Sequence, residues 1–154
     1  MDLARTGARL FLIALPPYFA WEMLQAPAFT GMPPGWWAAT AVCARATLGD
    51  GVIVLVVFAI GALLFRDWRW FAPPSAGRYA AVVLAGVVVQ VLIEWLMVHG
   101  LGRWGYKPWH PVVPVLDVGL LVVLQPIPLL PLVFWALAHS ERPDRDAARE
   151  CRAR

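Results

Sequence analysis

The stretch YAAVVLAGVVVQVLIEWLMV, residues 79–98, decides the fold class of this chain. An α-helix of roughly 20 mainly apolar residues is long enough to cross the hydrocarbon core of a bilayer. Three further stretches have a similar length and composition, at about 10–29, 46–65 and 112–138. The sequence therefore predicts an all-α integral membrane protein that folds as a four-transmembrane-helix bundle.

The composition of the whole chain supports the membrane class. Hydrophobic residues make up 60% of the 154 residues and charged residues only 15%, whereas soluble domains average about 45–50% apolar residues. The net charge is +3, but the basic residues flank the apolar stretches. Membrane topology explains this distribution, so no nucleic-acid partner is expected.

The distribution of Lys and Arg predicts the orientation. Ten lie in the N-terminal segment, the second loop and the tail, whereas three lie on the other side, namely Arg45, Arg103 and Lys107. The positive-inside rule then puts both termini in the cytoplasm of a multi-pass inner-membrane protein. In the alternative, Ala26-Pro27-Ala28 ends a cleaved signal peptide. The prolines and Glu22 inside the first apolar stretch disfavour that alternative.

The predicted domain organisation is simple. Residues 1–139 form the four-helix membrane domain, and residues 140–154, SERPDRDAARECRAR, form a charged cytoplasmic tail. Residues 33–45 are expected to form a short interfacial segment, and the prolines of the fourth span are expected to kink it. Cys43 and Cys151 fall on opposite sides of the membrane, so no disulfide joins them within one chain.

Each predicted span contains one acid, and all four acids fall in the outer half of the bilayer. They are Glu22, Asp50, Glu94 and Asp117. A charge at the bilayer centre costs about 2.5–3.5 kcal/mol on insertion scales, so acids inside spans are by default functional. These four are the predicted catalytic residues.

Helical spacing places further polar and aromatic side chains beside the acids. Tyr18 and Gln25 share a helix face with Glu22, and Gln90 precedes Glu94 by one turn. The loop HGLGRWGYKPWHP, residues 99–111, is rich in aromatic and cationic groups and is expected to cap the acids. The predicted ligand-binding residues are Tyr18, Trp21, Gln25, Gln90, Trp95, Trp104, Tyr106, His110 and Gln125.

Less specific interpretations are open for the same residues. Asp50 and Asp117 lie near span ends, where an acid often caps a helix N-terminus. Glu22 and Glu94 can form structural ion pairs with Arg103 or Lys107. Tryptophans at span ends are expected to form an interfacial belt, and glycines in the second and third spans to allow close helix packing. The tryptophans at span ends are Trp36, Trp37, Trp68, Trp70, Trp104 and Trp109. The glycines are Gly51, Gly61 and Gly86.

The first functional hypothesis is a protein that binds or transforms an apolar isoprenoid- or sterol-like lipid by acid/base chemistry. A buried carboxylic acid can protonate a carbon–carbon double bond, and a second carboxylate can accept a proton. Aromatic faces can stabilise the carbocation. No nucleotide, redox or metal-ligand spacing is present, so no cofactor or metal is expected.

One part of the sequence resembles a known family. Glu94, followed by GRWGYKP at residues 102–108 and an apolar segment with a proline and an acid, resembles the membrane lycopene cyclase domain. That family has paired acids on the next helix, where this chain has only Asp117. The four-helix plan with inward acids is similar to that of the sterol-isomerase and sigma-2-receptor superfamily. Both resemblances imply an apolar ligand in the bundle.

Two other hypotheses remain open. The acids together with His99 and His110 supply oxygen and nitrogen atoms for a cation or proton site. Alternatively, the chain is a non-catalytic subunit or assembly factor of a larger membrane complex, with a membrane protein or a second copy of itself as partner. Its small size favours this last hypothesis.

Overall fold

The computed structural model describes residues 2–141. Almost all of the predicted charged tail, including Cys151, therefore lies outside the described residues. The helices are α1 (Leu3–Gln25), α2 (Trp36–Phe65), α3 (Ala76–Trp95), α4 (Leu120–Leu124) and α5 (Pro126–Ser140). Four two-residue strands lie in the loops: β1 (Phe29–Thr30), β2 (Gly105–Tyr106), β3 (Val112–Val113) and β4 (Val118–Gly119).

The long helices form a closed bundle. α1 packs against α2 and α5, and α3 packs against the same two helices from the other side. The hydroxyl of Thr6 donates a hydrogen bond of 3.0 Å to the carboxylate of Glu141. Because this bond joins the start of α1 to the end of α5, both ends of the described chain lie at the same end of the bundle.

Within residues 2–141, three helical segments are long and apolar enough to cross a membrane. They are Trp36–Phe65, Ala76–Gly100 and Leu120–Ser140. The segment that starts at Ala76 includes a π-helical turn after α3. α1 is also long enough, at about 35 Å for its 23 residues. It does not belong to this group, because Arg5, Arg9, two prolines, Glu22 and Gln25 lower its mean hydropathy.

The first two helices begin earlier than the sequence predicts. α1 starts at Leu3 rather than at residue 10, because Asp2 caps it by accepting hydrogen bonds from the amides of Ala4 and Arg5. α2 starts at Trp36, so most of the predicted interfacial segment is helix. Its 30 residues span about 45 Å, which exceeds the roughly 30 Å hydrocarbon core.

The prediction that the fourth span is helical from residue 112 is wrong. Residues 112–119 form a hairpin in which β3 pairs antiparallel with β4. Val115 and Asp117 have positive φ angles of 73° and 51°, a conformation that is incompatible with a right-handed helix. The helix starts at Leu120 and is interrupted at Gln125, because Pro126 has no amide hydrogen to continue it.

An aromatic core fills the end of the bundle where the two chain ends meet. Trp70 is fully buried, and its indole donates a 3.1 Å hydrogen bond to the carbonyl of Phe58. The ring of Phe134 lies 4.6 Å away. The prediction that Trp70 belongs to an interfacial belt is therefore wrong, whereas most of the other tryptophans in that set are well exposed, namely Trp36, Trp37, Trp68 and Trp109.

The predicted close helix packing is confirmed at Gly51 and Gly86, whereas Gly61 is packed by a residue of the α2–α3 loop. The Phe11 ring of α1 lies over Gly51, where an added Cβ would be 2.5 Å from it. Leu130 of α5 lies against Gly86 of α3, and the Trp70 indole lies against Gly61. A hydrogen at these positions lets large side chains from neighbouring segments reach the helix backbone.

Candidate functional site

Two loops join to cover the end of the bundle away from the chain termini. β1 pairs with β2, so that Phe29 faces Tyr106 and Thr30 faces Gly105. The amide of Lys107 also donates to the carbonyl of Ala28 at 2.9 Å. We call residues 26–35 and 101–119 the cap. The cap ties the α1–α2 connection to the α3–α4 connection directly above the ends of α1 and α3.

Glu94 lies beneath the cap and is only 3% exposed. One of its carboxylate oxygens accepts two hydrogen bonds from the cap, from the Trp104 indole at 3.1 Å and from the Tyr106 hydroxyl at 2.6 Å. Burial, and then the bond to Glu94, raise the pKa of the Tyr106 phenol. Tyr106 is therefore protonated at neutral pH and can act as the donor.

Glu22 lies near the end of α1 and is half-buried. Its carboxylate accepts a hydrogen bond from the side-chain amide of Gln25. The amide oxygen of Gln25 in turn accepts a 3.2 Å bond from the Trp21 indole. Tyr18, one turn earlier, is almost fully buried, so the polar stripe predicted for this helix face points into the bundle.

Asp50 is 6% exposed and lies in the middle of α2. It does not cap a helix. Instead, the side-chain amide of Gln125 donates to its carboxylate at 3.3 Å. Because Gln125 lies at the break between α4 and α5, this bond links α2 to the interrupted fourth span.

We call Glu22, Asp50 and Glu94 the acid cluster, because each of these side chains is buried or half-buried in the bundle and accepts hydrogen bonds from other side chains. Every hydrogen-bond donor to the cluster within residues 2–141 is a neutral group. The predicted ion pairs to Arg103 or Lys107 do not form among the described residues.

Asp117 does not join the acid cluster, contrary to the prediction. It lies in the β3–β4 turn with its side chain 72% exposed, and its carboxylate is 3.9 Å from the ring of His99. The His99 ring also lies 2.9 Å from the Asp117 carbonyl. Trp95 is half exposed on the outer face of α3, whereas Gln90 is buried one turn below Glu94.

His110 lies in the cap with only 5% of its surface exposed. Its ring stacks on that of Tyr106 at 4.8 Å, and Phe29 contacts both rings. Gly119 supports the pair, because a Cβ there would lie 2.8 Å from each ring. The contributions of Phe29 and Gly119 carry no signal in the sequence, since both depend on contacts between loops that are distant along the chain.

The described residues do not contain the preformed group of ligands that the metal-site hypothesis requires. Across residues 2–141, no set of three His, Cys, Asp or Glu side chains is close enough together to hold an ion. A separate apolar groove of about 360 Å³ lies between α1 and α2, and none of the acids lines it. Its lining consists of Leu15, Pro16, Phe19, Ala44, Thr47 and Leu48.

Comparison of the chain with protein-family models, with curated proteins and with solved structures gives no match. The acid cluster and its cap combine buried acids, neutral donors and aromatic rings at one end of a helical bundle.

Proposed function

We propose that this chain is a four-pass inner-membrane protein whose acid cluster binds, and by acid/base chemistry transforms, an apolar isoprenoid- or sterol-like lipid. The observation that carries the proposal is the cluster itself, in which three acids lie buried or half-buried inside one helical bundle. Their donors among the described residues are all neutral. Such acids can exchange protons with a bound molecule, because no Lys or Arg among residues 2–141 forms an ion pair with them.

The proposed topology has both termini in the cytoplasm and the cap on the outer face. The excess of Lys and Arg outside the cap supports this orientation. In this topology α1 crosses the membrane together with the three more apolar helical segments. It packs along α2 and α5 and exposes apolar residues such as Leu12 and Leu24 outward. The acid cluster then lies in the outer half of the bilayer.

The proposed chemistry is a proton shuttle between two carboxyl groups. One acid of the cluster donates its proton to an alkene carbon of the lipid, which leaves a carbocation on the neighbouring carbon. A second, ionised carboxyl group removes a proton from the adjacent carbon, and the double bond re-forms one position along. The step is a net isomerisation without a co-reactant, and nearby aromatic rings such as Trp104 and Tyr106 stabilise the cation.

Native mass spectrometry of the gently purified protein, followed by solvent extraction, tests the proposal. We expect a stoichiometric apolar molecule on the wild type and its loss from the Glu22→Gln/Glu94→Gln variant, whose side chains keep their size. Asp117→Asn is the matched control, because it removes an exposed acid outside the cluster and should keep the ligand. Size-exclusion profiles verify that each variant is folded.

A different result would change the assignment. Co-purification of other membrane subunits, with no small ligand on the wild type, would overturn the lipid proposal in favour of a subunit or assembly role. Equal loss of the ligand from Asp117→Asn and from the cluster variant would also count against it, since the acid cluster would then have no special part in binding.

A further inference from the structure

Two buried polar atoms beside the acid cluster have no hydrogen-bond partner among the described residues. They are the Nε2 atom of His110 and the Oε1 atom of Gln125. The two residues are 5% and 1% exposed, respectively. Because buried polar atoms in folded proteins are nearly always paired, these two call for an explanation.

The contact of the other ring nitrogen sets the chemical character of the Nε2 atom of His110. The Nδ1 atom of His110 lies 2.8 Å from the carbonyl oxygen of Pro111. A carbonyl only accepts, so Nδ1 carries the hydrogen. In the neutral imidazole the other nitrogen, Nε2, is then an acceptor with an unused lone pair.

Gln125 also has a buried acceptor atom without a hydrogen-bond partner among the described residues. Its amide nitrogen donates to the carboxylate of Asp50 at 3.3 Å, so its remaining buried atom, Oε1, is a carbonyl acceptor. The two residues that carry these atoms are linked by contacts to different acids of the cluster. Gln125 bonds Asp50 directly, whereas His110 stacks on Tyr106, which bonds Glu94.

The site as a whole is therefore short of donors. The protein supplies the acid cluster with neutral donors from Gln25, Trp104, Tyr106 and Gln125, and leaves further acceptors open in the same region. A purely hydrocarbon ligand would leave both of these buried acceptors without a partner, and an unpaired buried acceptor destabilises the complex. A ligand that carries a donor satisfies the acceptor that it reaches.

We propose that the molecule bound at the acid cluster has a hydrogen-bond-donating head, a hydroxyl or a protonated amine, which donates to at least one of these open acceptors. The inference rests on the proposed function and specifies its ligand class: a lipid with an apolar body and one donor at its end. The apolar body extends among the helices, and the head lies beneath the cap.

The test compares three probes that share one apolar body: farnesol, farnesylamine and farnesyl methyl ether. Binding to the full-length protein in lipid nanodiscs is measured by microscale thermophoresis. We expect the alcohol and the amine to bind about tenfold more tightly than the ether, which keeps the oxygen but cannot donate. If the amine binds more tightly than the alcohol, and this difference disappears in Glu22→Gln/Glu94→Gln, the natural head is an ammonium group. If the alcohol and the amine bind with similar affinities, the natural head is a hydroxyl group.

Variants of the acceptors provide the second arm. His110→Phe keeps a ring against Tyr106 but removes Nε2, and Gln125→Leu removes Oε1. At least one of the two substitutions is expected to shrink the advantage of the alcohol over the ether. Ser140→Ala is the control, because the Ser140 hydroxyl lies at the other end of the bundle, where it donates to the carbonyl of Leu137. It should leave the ratio unchanged.

The possible failures are distinguishable. If the ether binds as tightly as the alcohol, and the cluster variant still abolishes binding, the donor-head inference is overturned and the proposed function stands. In that case water, rather than ligand, fills the open acceptors. If none of the three probes binds the wild type, the proposed function fails and this inference fails with it.

Discussion

The contact between Glu94 and the cap shows how single residues make a buried acid tolerable. Two donors from one loop, the Trp104 indole and the Tyr106 hydroxyl, converge on a single carboxylate oxygen. Hydrogen bonds to charged groups are worth about 1.5–3 kcal/mol, more than those between neutral groups. The same contacts that stabilise the acid also fix the position of the cap above it.

Tyr106→Phe should lower the free energy of unfolding by about 1.5–3 kcal/mol, because Glu94 keeps only one of its two donors while the ring contacts with His110 persist. Thermal unfolding in detergent, followed by circular dichroism, measures the change. Trp109→Phe is the control, since Trp109 lies in the same loop but is 62% exposed. Equal destabilisation by the two substitutions would mean that the hydrogen bond contributes little.

The helices themselves are held by large side chains packed on glycine backbone. Trp70, from the α2–α3 loop, lies against Gly61 of α2 while its indole is hydrogen-bonded to Phe58 one turn earlier. The indole is therefore fixed from two sides. A larger residue at position 61 has no room unless the whole aromatic core moves.

Gly61→Ala should destabilise the bundle by about 1–3 kcal/mol, because the new methyl group would lie 2.5 Å from the Trp70 ring. Gly49→Ala in the same helix is the matched control. No atom lies within 4 Å of a Cβ at that position, so only the helix propensity changes, in the stabilising direction. Denaturant titration of both variants gives the comparison, and a neutral Gly61→Ala would show that Trp70 is not fixed as described.

At the scale of the whole molecule, the bundle has two different ends. One end is closed by the aromatic core around Trp70 and by the Thr6–Glu141 bond, and the other by the cap and the acid cluster. Among the described residues, buried acids and open acceptors occur together at the cap end and not at the other end. The orientation of the bundle in the membrane therefore determines which compartment the site faces.

Cysteine labelling in intact cells tests the proposed orientation. In a Cys43→Ala/Cys151→Ser background, Lys107→Cys in the cap should react with a membrane-impermeant maleimide, and Arg69→Cys in the α2–α3 loop should react only after lysis. Both residues are exposed, so accessibility within the fold does not separate them. The opposite labelling pattern would place the acid cluster in the inner half of the bilayer.

The sequence by itself determined the class of the molecule and much of its polar plan. Long apolar stretches predicted helices, because only a helix satisfies the backbone inside a bilayer. The spacing of Tyr18, Glu22 and Gln25 predicted an inward polar stripe, and the aromatic loop predicted a cap over Glu94. These features depend on local composition and periodicity, which a sequence displays directly.

Only the tertiary structure decided which residues meet. Asp117 lies outside the cluster because a hairpin replaces the first turns of the fourth predicted span. Trp70 lies in the core because the loop between α2 and α3 folds inward. The bonds from Gln125 to Asp50 and from Tyr106 to Glu94 join residues of different elements. In a membrane helix nearly every face is apolar, so the hydrophobic pattern does not distinguish the face that meets lipid from the face that meets protein.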